Sequence, residues 1–125
     1  MTKQHDHGQL EMLFGKSAVA RILDFMHVFR DWDYNKQDIA ENSNVSPRHA
    51  TIAIEKLEKV GLIKKTRTIG NAHMYKYNCE NKAAMTLNSF TLELADQETQ
   101  KIVEQELTKE HTKTTTTQES IKIPA

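Results

Sequence analysis

Apolar residues recur at helical spacing through the first half of the chain, then give way to a shorter period. Val19, Ile22, Leu23, Met26 and Phe29 form one stripe and predict a helix from Ala18 to about Phe29, with Ser17 as its N-cap. Upstream, a polar start leads into Leu10, Met12, Leu13 and Phe14, an arm suited to docking on the body. Asp31-Trp32-Asp33-Tyr34 breaks the helical period, and its alternation suits a very short strand or an anchoring turn. Asn35 then caps a short second helix, Lys36 to about Asn42, with Ile39 and Ala40 facing inward.

Ser43-Asn44-Val45 makes a tight connection to Ser46-Pro47, which opens a third helix cleanly. The serine hydroxyl accepts from an orphan backbone N–H, and proline at the first helical position lacks only a donor that has no partner there. Ala50, Ala53, Ile54 and Leu57 give this helix a narrow buried face, small enough at its start for the second helix to approach closely. Gly61 stops it where a left-handed residue is wanted. Leu62–Ile69 and Ala72–Asn78 read as a hairpin about Gly70-Asn71, a pair that supplies positive φ, with Met74 and Tyr75 or Tyr77 packing inward.

Beyond Asn78 two readings compete. Phe90, Leu92 and Leu94 alternate with polar or small neighbours, which favours a short helix from Lys82 to Leu87, a break at Asn88-Ser89 and a strand. A continuous helix would instead use Ala83, Leu87, Phe90 and Leu94. Asp96 is then expected to cap a helix reaching about Glu110, and the stretch from Thr112 has no core-forming pattern and reads as a disordered tail.

The element order predicts a mainly α protein with a small β-hairpin: a winged helix-turn-helix, with a three-helix core, a β-wing and a C-terminal helical extension. The expected divisions are an arm over 1–12, the winged helix-turn-helix over 13–80, a dimerising extension over 81–110 and a tail over 111–125. A chain of 125 residues with 38% hydrophobic content suits one compact domain plus tails. No stretch approaches the ~20 apolar residues that span a bilayer. The first ten residues lack the apolar core of a secretory signal, and the lone Cys79 fits a reducing compartment. A cytoplasmic protein with no membrane contact is expected.

Charge changes the picture only when it is mapped. The net charge is zero, yet residues 46–78 sum to +5 and residues 79–125 to −3. The one basic segment is the third helix and the hairpin, the pieces that a helix-turn-helix lays on double-stranded DNA. A major groove about 12 Å wide admits one helix whose outward face is polar. Here that face carries Ser46, Arg48, His49, Thr51, Ile52 and Lys56. Arg48 can donate twice to a guanine, and His49 and Thr51 can donate or accept. Ile52 either touches a thymine methyl, packs on the wing, or is simply exposed. Lys64, Lys65, Arg67 and Lys76, with Asn71 and His73 near the tip, form a ribbon able to lie along phosphates or enter the minor groove. Solvated strands are often lysine-rich for other reasons. It is the direct join to a helix beginning Ser-Pro-Arg-His that points the ribbon at DNA.

Asp38-Ile39-Ala40, Val45-Ser46 and the run Leu57-Glu58-Lys59-Val60-Gly61-Leu62-Ile63 resemble the winged helix-turn-helix of the MarR/ArsR-like superfamily. The segment Leu13–Phe25 resembles the opening helix of its small archaeal members. The resemblance covers about residues 13–95. It implies a homodimer that binds a palindromic operator, as a sequence-specific transcriptional regulator. Two alternatives from other classes are a protein-interaction module within a larger assembly and a non-specific, chromatin-like DNA coat.

The sequence departs from the zinc-sensing relatives in that superfamily, which carry paired Cys/His ligands. Cys79 stands alone and is expected to be a small buried residue, and His5-Asp6-His7 lacks a fourth ligand. No metal, cofactor or catalytic set is expected: His27 has no paired nucleophile, and no glycine-rich phosphate loop is present. A non-enzyme is expected.

Overall fold

The computed structural model describes the backbone of residues 8–122 and the side chains of residues 8–107. The chain divides into two units, Met1–Thr91 and Leu92–Ala125. Among its described residues the first holds four helices, a two-stranded hairpin and the start of a fifth helix.

The arm is a helix, α1 (Gln9–Phe14), rather than an irregular strap. It has no cap of its own. Asp24 of the next helix supplies one, its two carboxylate oxygens accepting from the Leu10 and Glu11 N–H groups at 2.9 Å each. Gly8 lies so close to this carboxylate that a Cβ there would sit 2.2 Å from the Asp24 Cγ. Helix α2 (Ala18–Val28) is capped by Ser17, which accepts from the Ala20 N–H at 3.1 Å. Its buried stripe contains Ile22, Leu23 and Met26 as expected, joined by Ala20, Asp24 and His27. Phe29 departs from the expectation: it is the C-cap and is 51% exposed, because the chain turns out of the helix one residue early.

Asp31–Tyr34 ends in a single bridge, Tyr34 exchanging both backbone hydrogen bonds with Tyr75 at 2.8 and 2.7 Å. Helix α3 (Lys36–Ser43) is capped by Asn35 and terminated by left-handed Asn44. Helix α4 (Pro47–Lys59) follows, with Ser46 accepting from the His49 N–H. Ala50, Ala53, Ile54 and Leu57 are all essentially buried, and each fully buried isoleucine or leucine contributes roughly 1.5–3 kcal/mol. Left-handed Gly61, at φ 87°, releases the chain into the hairpin.

Strands β1 (Ile63–Ile69) and β2 (Ala72–Tyr77) are antiparallel, with a bulge at Thr66. At the turn only Gly70 has positive φ, and Asn71 does not, so the turn takes the type II′ pattern. Met74, Tyr75 and Tyr77 are all buried. The core therefore gathers α2, α3, α4 and the base of the hairpin around Ile22, Met26, Ile39, Ile54, Ile63 and Tyr77.

Helix α5 runs unbroken from Lys82 to Lys122. The expected break at Asn88-Ser89, and with it the strand over Phe90–Ala95, is absent. The hydroxyl residues around the expected break satisfy themselves within the helix. Thr86, Ser89 and Thr91 each donate a hydroxyl to a carbonyl one turn back, at 2.9, 3.3 and 3.1 Å, which lets them occupy helical positions. Ala84, Asn88 and Thr91 are buried on one side while Phe90 and Leu92 are exposed, a helical rather than a strand pattern. Asn81 caps this helix, accepting from the Ala84 N–H at 3.0 Å. Asp96 therefore lies inside it. The helix also continues past Glu110 into the stretch expected to be a disordered tail, since each added residue gains one backbone bond once a helix is nucleated. Residues 123–125 lie outside the described residues.

Candidate nucleic-acid interface

The recognition candidate is the outer face of α4. Arg48, His49, Ile52 and Lys56 are exposed together, with Glu55 beside them. Ile52 is 54% exposed and stands outside the buried core. Thr51 is half-buried and donates its hydroxyl to the Pro47 carbonyl at 3.0 Å, so its oxygen is left mainly as an acceptor. Ser46 works inward. Its hydroxyl receives the His49 N–H at 3.3 Å and stands 2.9 Å from His49 Nδ1. Nδ1 is thereby engaged by Ser46, and Nε2 is the ring nitrogen left for another partner.

The hairpin divides its cations between two faces. Directly opposed residues share a face, so Lys65 lies with Tyr75, and Thr68 with His73. Lys64 pairs with Lys76 on the reverse face, and Arg67 lies opposite Met74 beyond the bulge. Two of the four cations are already engaged. Lys64 Nζ is 3.5 Å from Glu80. Arg67 holds Asp33 with a two-pronged grip, Nε to Oδ2 at 2.9 Å and Nη2 to Oδ1 at 3.1 Å. Thr66 donates to the same Oδ2 at 2.6 Å. The Arg67 fork, with Thr66, holds the Asp33 carboxyl at about 2, well below the usual carboxylate range. Among the described residues Arg48, Lys56, Lys65 and Lys76 have no ion-pair partner. The +5 segment thus presents less free charge than its sum suggests.

The structure also brings forward residues that sequence reasoning left as ordinary helix positions. Lys36 and Gln37, at the start of α3, line a cleft of about 380 Å³ with Val45, Pro47 and Thr51. They also border a second cleft of about 310 Å³ with Asn71, Ala72 and His73. The start of α3 therefore lies between the start of α4 and the wing tip. The available signal was positional: Lys36 is the first residue after the N-cap of the helix that precedes the recognition helix.

Cys79 is exposed, which overturns the expectation of a small buried residue. It follows the last β2 residue by two positions, where the chain leaves the sheet for α5. His27 is buried, with Nε2 3.8 Å from Asp24. His5-Asp6-His7 lies outside the described residues. Among the described residues no group of three or more His, Cys, Asp or Glu side chains could hold a metal ion. No described helix is long and apolar enough to cross a membrane.

No family model matches the sequence, and no curated protein does. Solved structures do match. MepR, a transcription regulator of the Staphylococcus aureus multidrug efflux pump MepA, superposes with a TM-score of 0.61 at 17% identity over 88% of this chain and 81% of its own. The adhesin competence repressor AdcR from Streptococcus pyogenes gives 0.53 at 17% identity, over 84% and 81%. An apo variant of ZitR from Lactococcus lactis gives 0.52 at 20% identity, over 79% and 73%. At these identities the likeness is one of fold: helices, an antiparallel hairpin and a long C-terminal helix arranged as in winged-helix regulators. These three are bacterial proteins, so the archaeal part of the sequence resemblance gains nothing from them.

Proposed function

We propose that the chain is a sequence-specific double-stranded DNA-binding transcriptional regulator of the MarR-like kind, working as a cytoplasmic homodimer and not as an enzyme. The observation that carries this reading is the outer face of α4. An exposed Arg48-His49-Ile52-Lys56 surface on a helix with a fully buried opposite face has the width and polarity of a major-groove reader. The hairpin beside it offers Lys65 and His73 on one face. MepR and AdcR, by their names a transcription regulator and a repressor, share this fold.

In this mechanism Arg48 reads a guanine edge, and His49, Thr51 and Ile52 read neighbouring bases. Ser46 holds the His49 ring through Nδ1. Lys56, the wing from Lys64 to Lys76 and the start of α3 address the backbone or minor groove. The homodimer rests on exposed apolar residues outside that face. Met12, Leu13 and Phe14 of α1 are 51–68% exposed. In the second unit, Leu92, Ile102, Val103 and Leu107 are 49–68% exposed. The winged helix over 13–80 and a dimerising segment over 81–110 follow as the working division. The archaeal affinity rests only on the sequence segments quoted for it.

The test is the salt dependence of binding to duplex DNA. Lys56, Lys65 and Lys76, with Lys36 in reach, give about four phosphate-range cations per copy, so log affinity should fall with log salt at a slope of about −3.6 per copy. Flat dependence would refute the reading. Equal affinity for random and selected duplexes would favour a non-specific coat.

A further inference from the structure

We infer that Asp33, which sequence reasoning left outside the DNA-binding set, is a positioning residue for the wing, acting through Thr66 and Arg67. The inference rests on the proposed DNA-binding role and reassigns Arg67 within it, from a phosphate contact to half of an internal tie.

The geometry is specific. Asp33 is the residue before Tyr34, whose backbone is bonded on both sides to Tyr75 of β2. From that anchor its carboxylate reaches past β2 to two side chains of β1, separated from it by 33 and 34 positions in sequence. Both of its oxygens are used, and its side chain is only 15% exposed. The two residues it grips are the bulge residue Thr66 and its neighbour. A bulge bends its strand and increases the local twist, so whatever fixes the bulge fixes the direction of the hairpin beyond it. That outer part carries Thr68, the turn at Gly70-Asn71 and His73. Among the described residues the side-chain bond beyond Arg67 is internal to the hairpin, Thr68 Oγ1 to His73 Nδ1 at 3.2 Å. The grip also makes Arg67 and Asp33 a neutral pair, with the Nε–Nη2 edge of the guanidinium already taken by a carboxylate.

The pieces separate by experiment. Duplex binding is measured across a salt series for the full chain and for Arg67→Ala, Asp33→Ala, the double variant and Lys65→Ala. Amide hydrogen exchange over residues 66–73 is followed in the absence of DNA. The tie predicts that Arg67→Ala and Asp33→Ala each weaken binding several-fold, that the double variant is no weaker than either, and that Arg67→Ala keeps the wild-type salt slope. Lys65→Ala should lower that slope by about 0.9. Exchange beyond the bulge should accelerate in both single variants while circular dichroism stays unchanged. A drop in slope for Arg67→Ala equal to that of Lys65→Ala would overturn the assignment. So would tighter binding by Asp33→Ala, which would make Asp33 a mask over Arg67. Unchanged exchange over 66–73 would refute the tie independently of DNA. If the wild-type chain binds no duplex, the proposed function fails, while the exchange result still decides whether the tie exists.

Discussion

Replacing Asp24 by alanine should cost this fold more than any surface change, and the structure fixes the size of the loss. The carboxylate accepts two buried backbone N–H groups of α1, from Leu10 and Glu11, at 2.9 Å each. Helix α1 has no side-chain cap of its own to take over. A buried donor left without a partner costs about 1–3 kcal/mol, so two would cost about 2–6 kcal/mol if nothing relaxed. The packing of Gly8 against the carboxylate means that its removal opens space for a water to recover part of that. A net loss of about 2–4 kcal/mol follows, a large share of a small domain's typical ~5–15 kcal/mol. Asp24→Asn keeps one acceptor oxygen and should lose about half as much. Urea unfolding measures the total, and amide exchange at Leu10 and Glu11 shows where it arises. If α1 forms part of the dimer surface, the dimer dissociation constant rises alongside. Stability within 0.5 kcal/mol of wild type, or unchanged exchange at those two amides, would refute the assignment of Asp24 as the arm's cap.

Other expectations follow from single contacts. Arg48→Ala should relax base preference at one position by about 1–3 kcal/mol, seen as a flattened column in competition binding with single-base variants. Tyr77 is fully buried and donates to the Ala84 carbonyl at 2.6 Å, and burial pushes its hydroxyl up to about 12. Its folded value exceeds the unfolded value of about 10, so its stabilisation is complete below pH ~10 and is lost as pH rises toward ~12. That loss should shrink in the alkaline unfolding profile of Tyr77→Phe, the hydroxyls of Tyr34 and Tyr75, also raised by burial, keeping a remainder. Cys79, exposed at the exit from the sheet, should react fully with a maleimide in the native protein. Cys79→Ser should change stability by less than about 0.5 kcal/mol.

What the sequence disclosed and what it hid divide along a physical line. Caps and turns are local, and Ser17, Asn35, Ser46-Pro47, Gly61 and Gly70 announced the bounds of α2, α3, α4 and the hairpin. The buried set of α4 was equally legible, because a period near 3.6 is written into the positions of Ala50, Ala53, Ile54 and Leu57. Contacts between distant segments were not legible. Nothing near Asp24 marks it as the cap of another helix, and nothing near Asp33 or Glu80 marks it as the partner of a wing cation. That is why the basic segment looked freer than it is. The length of α5 was misread for a subtler reason. The alternation of Phe90, Leu92 and Leu94 imitates a strand, and nothing local shows that Phe90 and Leu92 stand exposed on a helix whose buried side is Ala84, Asn88 and Thr91. Likewise the start of α3 joined the candidate interface only when the fold set Lys36 and Gln37 beside both Thr51 and His73.

The most direct test of the central claim is selection of binding sites from a genomic or random duplex library by the purified full chain. The account predicts enrichment of one short inverted repeat with half-sites about 10 base pairs apart, the spacing that a symmetric dimer of recognition helices requires. It also predicts that Arg48→Ala blurs a guanine in each half-site. Recovery of sequences with no shared motif, or of no duplex above background, would contradict it.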